Sequence, residues 1–447
     1  MENMSAQRVF NLLRRFESRN LTYIERGGTW PIVWSQAHGN YVWDSEGKKY
    51  LDMTAGFGVA AAGHANPAVV RAGKRQMASL LHGLSDVHPH ESKATLVRLL
   101  SAVTYERWSK RKPVNIKKQI LKNTSPRTVA KTILCNSGFE AVEAAMKTAF
   151  LATGKPKVLA FRGAYHGLGY GTLNVTERQH FRAAFRAQIK QFGNFVRFPA
   201  DAESLESISL AVRKNLRGDV GAVLVEPVQV RGGVNVPPDM FLPQLRKLCD
   251  EFGALLILDE IYTGFGRTGR WFACEHSATV PDLICVGKAL TGGFPMSACI
   301  GRADLMDTAW PVATGDPIHT STFLGNPVGC AMALAQIKQL ELLKLVSNSA
   351  VLGKYLLRTL SEIEIPGLRL SARGLGLLAG LEIRLPDSSP ASGRAFQVVK
   401  RMLDRGFIVL PDGEYANVIE FTPPLTIKQR ELARAVRALT ETLEELK

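Results

Sequence analysis

Several apolar runs in the middle of the chain end on residues able to do chemistry. Residues 283–286 (LICV) are followed by Gly287 and Lys288, and Lys288 is the only charged residue between Asp282 and Arg302. An amine in apolar surroundings loses proton affinity, becomes a usable nucleophile and can form a Schiff base with a carbonyl. Residues 255–258 (LLIL) run into Asp259 and Glu260, and residues 222–225 (AVLV) into Glu226, Pro227, Val228 and Gln229. An acid directly after a strand serves either as a helix cap or as a site carboxylate. Residues 132–135 (TILC) lead into Asn136, Ser137, Gly138, Phe139 and Glu140, and then into a helical stretch. Ser137 and Glu140 have the S-x-x-E spacing of a capping box. The free N–H groups of a helix start also suit an anion, and the spacing leaves both readings open.

These residues need a scaffold that gathers them. The runs above, with residues 158–161 (VLAF), are too apolar to alternate, as strands covered on both faces are. Helical stretches at 140–151, 242–252 and 331–345 accompany them. The pattern predicts an α/β domain with a mostly parallel sheet. Ligands of such sheets bind beyond the carboxyl ends of the strands, which is where the polar residues fall. Gly264–Gly269 matches G-x-G-x-x-G, but a dinucleotide fingerprint must open a helix directly after its strand. Residues 270–274 (RWFAC) carry no helical stripe, so a nicotinamide dinucleotide is excluded. Residues 30–52 read as a strand–turn–strand meander. Residues 427–447 read as an amphipathic helix with Leu432, Val436, Leu439 and Leu443 on one stripe. The expected organisation is a large domain at 71–339, with a basic insertion at about 105–131. A smaller α+β domain is expected from both chain ends, 1–70 and 340–447.

The 447 residues are 46% hydrophobic and 21% charged, a globular composition that excludes a disordered or fibrous chain. The net charge is +16, and residues 107–131 carry nine basic residues and no acid. Aromatics stop there at Trp108, so no base-stacking platform is visible. The stretch reads as a solvated insertion rather than a nucleic-acid surface. Six cysteines lie scattered in apolar stretches without a C-x-x-C pair. That usage predicts reduced thiols in a cytoplasmic protein, with no disulfide framework and no metal site. The N-terminus has no signal-type apolar run, and no segment approaches the ~18 apolar residues of a membrane span.

Together the segments resemble the class III aminotransferases, pyridoxal 5'-phosphate (PLP) enzymes of the fold type I group. The resemblance runs from about residue 30 to the C-terminus. It is carried by NSGFEAVEAAMKTA (136–149), FRGAYHG (161–167), VEPVQ (225–229), LDEIYTGFGRTGR (258–270), PDLICVGKALTGGFP (281–295) and HTSTFLGNP (319–327). It implies that Lys288 holds PLP as a Schiff base and later shuttles a proton, and that Asp259 pairs with the pyridine nitrogen. It implies a phosphate cradle of the Ser137 hydroxyl with the Gly138 and Phe139 N–H groups. Tyr165 would stack on the ring and His166 support that segment. Glu226 and Gln229 would belong to the same shell, Gln229 near the ring hydroxyl. Thr322 would reach the phosphate across a homodimer interface. The implied reaction moves an amino group from an amino acid, ω-amino acid or diamine to a 2-oxo acid, either 2-oxoglutarate or pyruvate. An amino-acid racemase, epimerase or aminomutase on the same scaffold is the alternative, because all begin by removing the same proton.

The sequence also departs from the family pattern. Many glutamate-using members carry an arginine four residues before the proline that ends the C-terminal PPL block, and a glutamate two residues after the VEPVQ glutamine. Here these positions are Glu420 and Arg231, with the charges exchanged. The expectation is a reversed Arg231–Glu420 pair, with Arg231 free to meet a substrate carboxylate or Glu420 a substrate amine. Leu168 stands where 4-aminobutyrate enzymes carry an arginine. Arg373 is open to a structural ion pair or a substrate contact.

Overall fold

The computed structural model describes residues 4–25, 30–84, 86–110 and 128–446, so most of the basic stretch lies outside the described residues. The chain begins its sheets with a three-stranded meander, β1 (Trp34–His38), β2 (Tyr41–Asp44) and β3 (Lys49–Asp52). Gly39 and Gly47, at φ +59° and +83°, make its two tight turns.

The central sheet has seven strands: β4 (Ala130–Cys135), β5 (Lys157–Phe161), β6 (Gly193–Val196), β7 (Val220–Val225), β8 (Leu255–Asp259), β9 (Leu283–Val286) and β10 (Ser297–Arg302). Their order is β4-β10-β9-β8-β7-β5-β6, and β10 alone runs against the rest. The five apolar runs of the sequence are β4, β5, β7, β8 and β9, whereas β6 and the antiparallel β10 were not read from it, and the reason for the unbroken hydrophobicity is now visible. Leu159, Phe161, Val223, Val225, Leu256 and Leu258 enter one core. Val158, Ala160, Ala222, Leu224, Ile257 and Leu283 enter another on the opposite face. Each fully buried Leu, Ile or Val contributes roughly 1.5–3 kcal/mol, so neither face tolerates polar alternation.

The helix Gly138–Thr153 packs Ala141, Val142, Ala144, Ala145 and Ala149 onto the second face. Its small side chains let it approach closely, and Gly154, at φ +68°, ends it in the left-handed conformation. The helix expected at 331–345 instead starts at Pro327 and stops at Leu342. Asn326 caps it by accepting the Val328 and Gly329 N–H groups. Lys344, at φ +53°, breaks the chain before a second helix, Leu345–Ser361.

Two smaller sheets complete the chain. Strand β13 (Phe407–Ile408) lies parallel to β3, pairing Phe407 with Leu51, so the C-terminal part extends the N-terminal meander. The other sheet, β11 (Arg369–Leu375), β12 (Leu378–Arg384), β14 (Leu410–Asp412) and β15 (Val418–Phe421), is antiparallel in the order β11-β12-β15-β14. The last helix, Gln429–Glu445, buries Leu432, Val436, Leu439 and Leu443, the stripe read from the sequence. No helix among the described residues is long and apolar enough to cross a membrane. All six cysteines are buried and free.

Candidate active site

The carboxyl ends of β4, β5, β7, β8 and β9 open onto one cleft of ≈ 320 Å3. Gly138, Phe139, Tyr165, Glu226, Asp259 and Lys288 all line it, each contributed by the loop or strand end that the sequence placed it on.

At the helix start only half of the capping box closes. Glu140 Oε2 accepts the Asn136 and Ser137 N–H groups at 2.6 and 3.0 Å. Ser137 Oγ is buried with no hydrogen-bond partner among the described residues. A buried hydroxyl left open costs free energy unless something else fills it. Here it stands beside the free N–H groups of a 16-residue helix, where an anion is favoured. A Cβ on Gly138 would stand 3.0 Å from Ile261 Cδ1, so the backbone passes close to the floor of the cleft. Gly167, at φ +104°, lets Phe139 pack against it, where a Cβ would meet the Phe139 Cβ at 2.4 Å. The helix start and the Tyr165 segment are thereby locked together.

Asp259 ends β8. Its Oδ2 lies 2.8 Å from His166 Nδ1, and its Oδ1 accepts the Ile261 N–H at 3.1 Å. Glu226 Oε1 accepts the Tyr165 N–H at 3.0 Å, which fixes the ring-bearing segment, and Oε2 accepts the Val230 N–H at 3.3 Å. Burial above all raises the Glu226 carboxyl to about 7, and the nearby Asp259 charge adds to it. Lys288 follows β9 with φ +34°, a conformation that side-chain-bearing residues rarely adopt. Its amine lies 4.3 Å from the Tyr262 ring centroid. Burial lowers its proton affinity below the usual lysine range, and the Asp259, Glu420 and Glu226 carboxylates oppose the shift.

Other expected residues lie elsewhere. Gln229 donates its amide to the Arg162 carbonyl at 2.9 Å and borders a neighbouring cleft rather than this one. Thr322 sits exposed in the 321–324 turn, away from the lining of its own chain's cleft. The expected Arg231–Glu420 ion pair is replaced. Arg231 Nη1 lies 3.6 Å from Asp412 Oδ1, whereas Glu420 Oε1 accepts Tyr262 and Thr422 hydroxyls at 2.5 and 3.1 Å. The register of β14 and β15 explains this. It sets Asp412 opposite Val418, and Glu420 opposite Leu410, with Glu420 turned to Tyr262. Arg373 makes a structural pair with Glu382 at 2.6 Å and donates to the Gly233 carbonyl at 2.9 Å.

Sequence reasoning missed Tyr262, Asp412, Arg178 and Arg267. Arg267, inside the G-x-G-x-x-G match, is fully buried and donates to the Leu377 and Pro423 carbonyls at 2.9 and 2.6 Å. That stretch joins the C-terminal sheet to the central one and opens no helix. An arginine among apolar and glycine neighbours was the available signal, of the same kind that marked Lys288.

The donor set fits PLP. An amine of lowered proton affinity suits its aldehyde, a buried carboxylate braced by a histidine suits its ring nitrogen, and an open hydroxyl at a helix start suits its phosphate.

Comparison with known proteins agrees. A family model described as Aminotransferase class-III matches residues 23–443. The chain is 37% identical over 413 residues to the acetylornithine aminotransferase of Methanopyrus kandleri, covering 92% of this chain and 94% of that protein. It is 35% identical over 432 residues to the putrescine aminotransferase of Pectobacterium atrosepticum, covering 95% and 85%. The ornithine aminotransferase of Toxoplasma gondii, whose structure shows partial occupancy of PLP at its active site, superposes with a TM-score of 0.83 at 27% identity, over 100% of this chain and 95% of that one. These relatives are aminotransferases, so the racemase or aminomutase alternative is not favoured. The chain belongs to the class III aminotransferases and is a PLP-dependent transaminase.

Proposed function

We propose that this enzyme takes its amino group from a donor whose amine is remote from any carboxylate, an ω-amino acid or a diamine, and passes it to 2-oxoglutarate or pyruvate. PLP, when bound, supplies the electron sink that proton loss from the amine-bearing carbon requires. Lys288 anchors the cofactor through its amine and, once released, carries the proton at that carbon. Asp259, held by His166, keeps the cofactor's ring nitrogen protonated. The Ser137 hydroxyl with the Gly138 and Phe139 N–H groups holds the phosphate, and Tyr165, fixed by Glu226, covers the ring face. Arg231 and Glu420 belong to the substrate end of the cleft. Thr322 completes the phosphate site of a second copy, so the working unit is a homodimer in the cytoplasm.

The observation that carries this reading is the convergence of Lys288, Asp259 and the start of the 138–153 helix on one cleft. The donor preference is supported by relatives named for acetylornithine and putrescine, and within it Leu168, an apolar residue at the cleft lining where an arginine would meet an ω-carboxylate, favours a diamine. The test is spectroscopic. Excess donor alone bleaches the visible band of the holoenzyme, and 2-oxoglutarate or pyruvate restores it. A band that survives every ω-amino acid and diamine, but bleaches with an α-amino acid, overturns the donor assignment.

A further inference from the structure

A second cleft, of ≈ 670 Å3, opens beside the catalytic one and shares no lining residue with it. The loop after β7 is the wall between them. Val228 and Arg231 face the catalytic cleft, and Gln229 and Gly232 face the second. The second cleft lies where β5 and β6 end, with β11 and β12 opposite. That is the ligand edge of a parallel sheet, and the volume falls in the range of small-molecule sites, roughly 300–1,000 Å3. Arg162, Arg178, Arg197, Arg373 and Arg384 line it against Glu177, Glu382 and Glu414, with no lysine, histidine or aspartate. The lining thus carries an excess of two positive charges.

The glutamates leave that excess in one place. Glu382 is held between Arg373 and Arg384, each at 2.6 Å. Glu177 Oε2 accepts the Gly163 N–H at 3.2 Å, and Glu414 lies exposed in the turn after β14. Arg162 and Arg197 make no ion pair with any of the three among the described residues. Strands β5 and β6 run parallel with Phe161 opposite Val196, and the Arg162 N–H continues the ladder onto the Val196 carbonyl at 2.8 Å. The next residue of each strand is an arginine, so two guanidiniums leave backbones ~4.8 Å apart and enter the same cleft. Asp201, outside the lining, feels the Arg197 charge but accepts the Ser204 N–H at 2.7 Å. Guanidiniums cannot relieve their repulsion by losing a proton. Arg178, more deeply set with its side chain 15% exposed, keeps Nε and Nη2 without a hydrogen-bond partner among the described residues.

We propose that the second cleft is a non-catalytic binding site for a small dianion, anchored between Arg162 and Arg197. A carboxylate or phosphoryl group set between the two guanidiniums takes charge-assisted hydrogen bonds from both and cancels their repulsion. The excess of two positive charges in the lining matches a ligand of charge two. Arg178 supplies positive charge further in, and the Arg373–Glu382–Arg384 trio on β11 and β12 closes the opposite wall. Dicarboxylates and phosphate share this chemistry. The site needs neither Lys288 nor the cofactor, and it does not rest on the donor assignment. It also accounts for Gln229, which the 228–232 loop turns toward this cleft and away from the catalytic one.

The test uses the holoenzyme, with its cofactor in place, in equilibrium dialysis against labelled glutarate, an unreactive dicarboxylate, and against labelled inorganic phosphate. The variant Arg162→Ala/Arg197→Ala is expected to bind one glutarate fewer per chain than the parent, while amine turnover stays within twofold. Either single change to Gln is expected to weaken that glutarate about tenfold, the worth of a hydrogen bond to a charged group. The phosphate arm separates the sources. Phosphate that displaces this glutarate supports the site with a phosphate as its occupant, and phosphate that leaves it in place supports the site with a dicarboxylate. Equal binding of both anions by the parent and the double variant overturns the proposal. So does a loss of glutarate accompanied by lost turnover and a lower melting temperature, the mark of a purely structural pair. Should the double variant fail to fold, the two Gln variants decide, and unmoved glutarate binding in both overturns the proposal.

Discussion

The floor and the roof of the cleft are built on opposite terms. On the floor, at the strand ends, Asp259 has both oxygens engaged, Glu226 has both oxygens engaged, and Glu140 holds two backbone N–H groups. Its open atoms among the described residues are Ser137 Oγ, at the anion-favouring helix start, and His166 Nε2. At the roof, where β14 and β15 arrive, the Asp412 and Glu420 carboxyls hydrogen-bond each other, and Arg178 keeps two nitrogens unpartnered among the described residues. Each unsatisfied buried polar group costs about 1–3 kcal/mol, and the floor keeps that cost off its carboxylates. Floor carboxylates held by backbone N–H groups and a histidine fix the chemistry, whereas the roof carboxyls hold mainly each other and neighbouring hydroxyls.

Breaking the floor should have the larger effects. Lys288→Ala removes both the cofactor anchor and the proton carrier, and turnover with any donor should fall by about 10⁴-fold or more, read in steady-state assays. Asp259→Asn leaves the His166 side without its charge. The rate of donor-induced bleaching should fall by about 10²–10³-fold, as when a pre-set electrostatic partner is lost, while the cofactor stays bound in dialysis. Ser137→Ala should weaken cofactor retention by roughly tenfold or somewhat more, the worth of a hydrogen bond to a charged group, read by fluorescence titration of the apoenzyme.

The roof should answer in stability before rate. The Glu420 carboxyl is raised from its ordinary 4.5 to about 8, chiefly by burial. The fold therefore favours its protonated form. That contribution is full below the unfolded value and is lost as pH rises through the folded one. In Glu420→Gln the fall in melting temperature between about pH 5 and about pH 9 should be shallower than in the parent, measured by calorimetry. An identical slope in the variant would mean that Glu420 is already ionised, and the contrast between floor and roof would lose its basis.

The floor was legible in the sequence because each of its residues follows its own apolar run. A strand buried on both faces must be apolar to its end, so the first polar residue after it marks the ligand edge of the sheet. Lys288, Asp259, Glu226 and the Ser137–Glu140 turn were found that way, and Lys288, Asp259, Glu226, Gly138 and Phe139 line the cleft, with Ser137 one residue before it. The roof was not legible. The exchanged charges at 231 and 420 were visible, but the partner assigned to Arg231 was Glu420, and the structure supplies Asp412. Nothing near Asp412, in the turn-like segment PDGEYAN (411–417), separates it from an ordinary loop acid. Tyr262, which shields Glu420, lay inside a recognised block without a role.

The sequence by itself determined five of the seven central strands, the helix that follows Ser137, and which chemical groups stand at the strand ends, because two-faced burial and helix-start chemistry are local and periodic. Tertiary structure alone decided which charges meet at the roof. Arg178, Arg231, Asp412 and Glu420 lie on segments brought together by the register of β14 on β15 and the packing of that sheet against the strand ends. Electrostatic pairing depends on ångström-scale distance and on exclusion of water, and neither is set by separation along the chain.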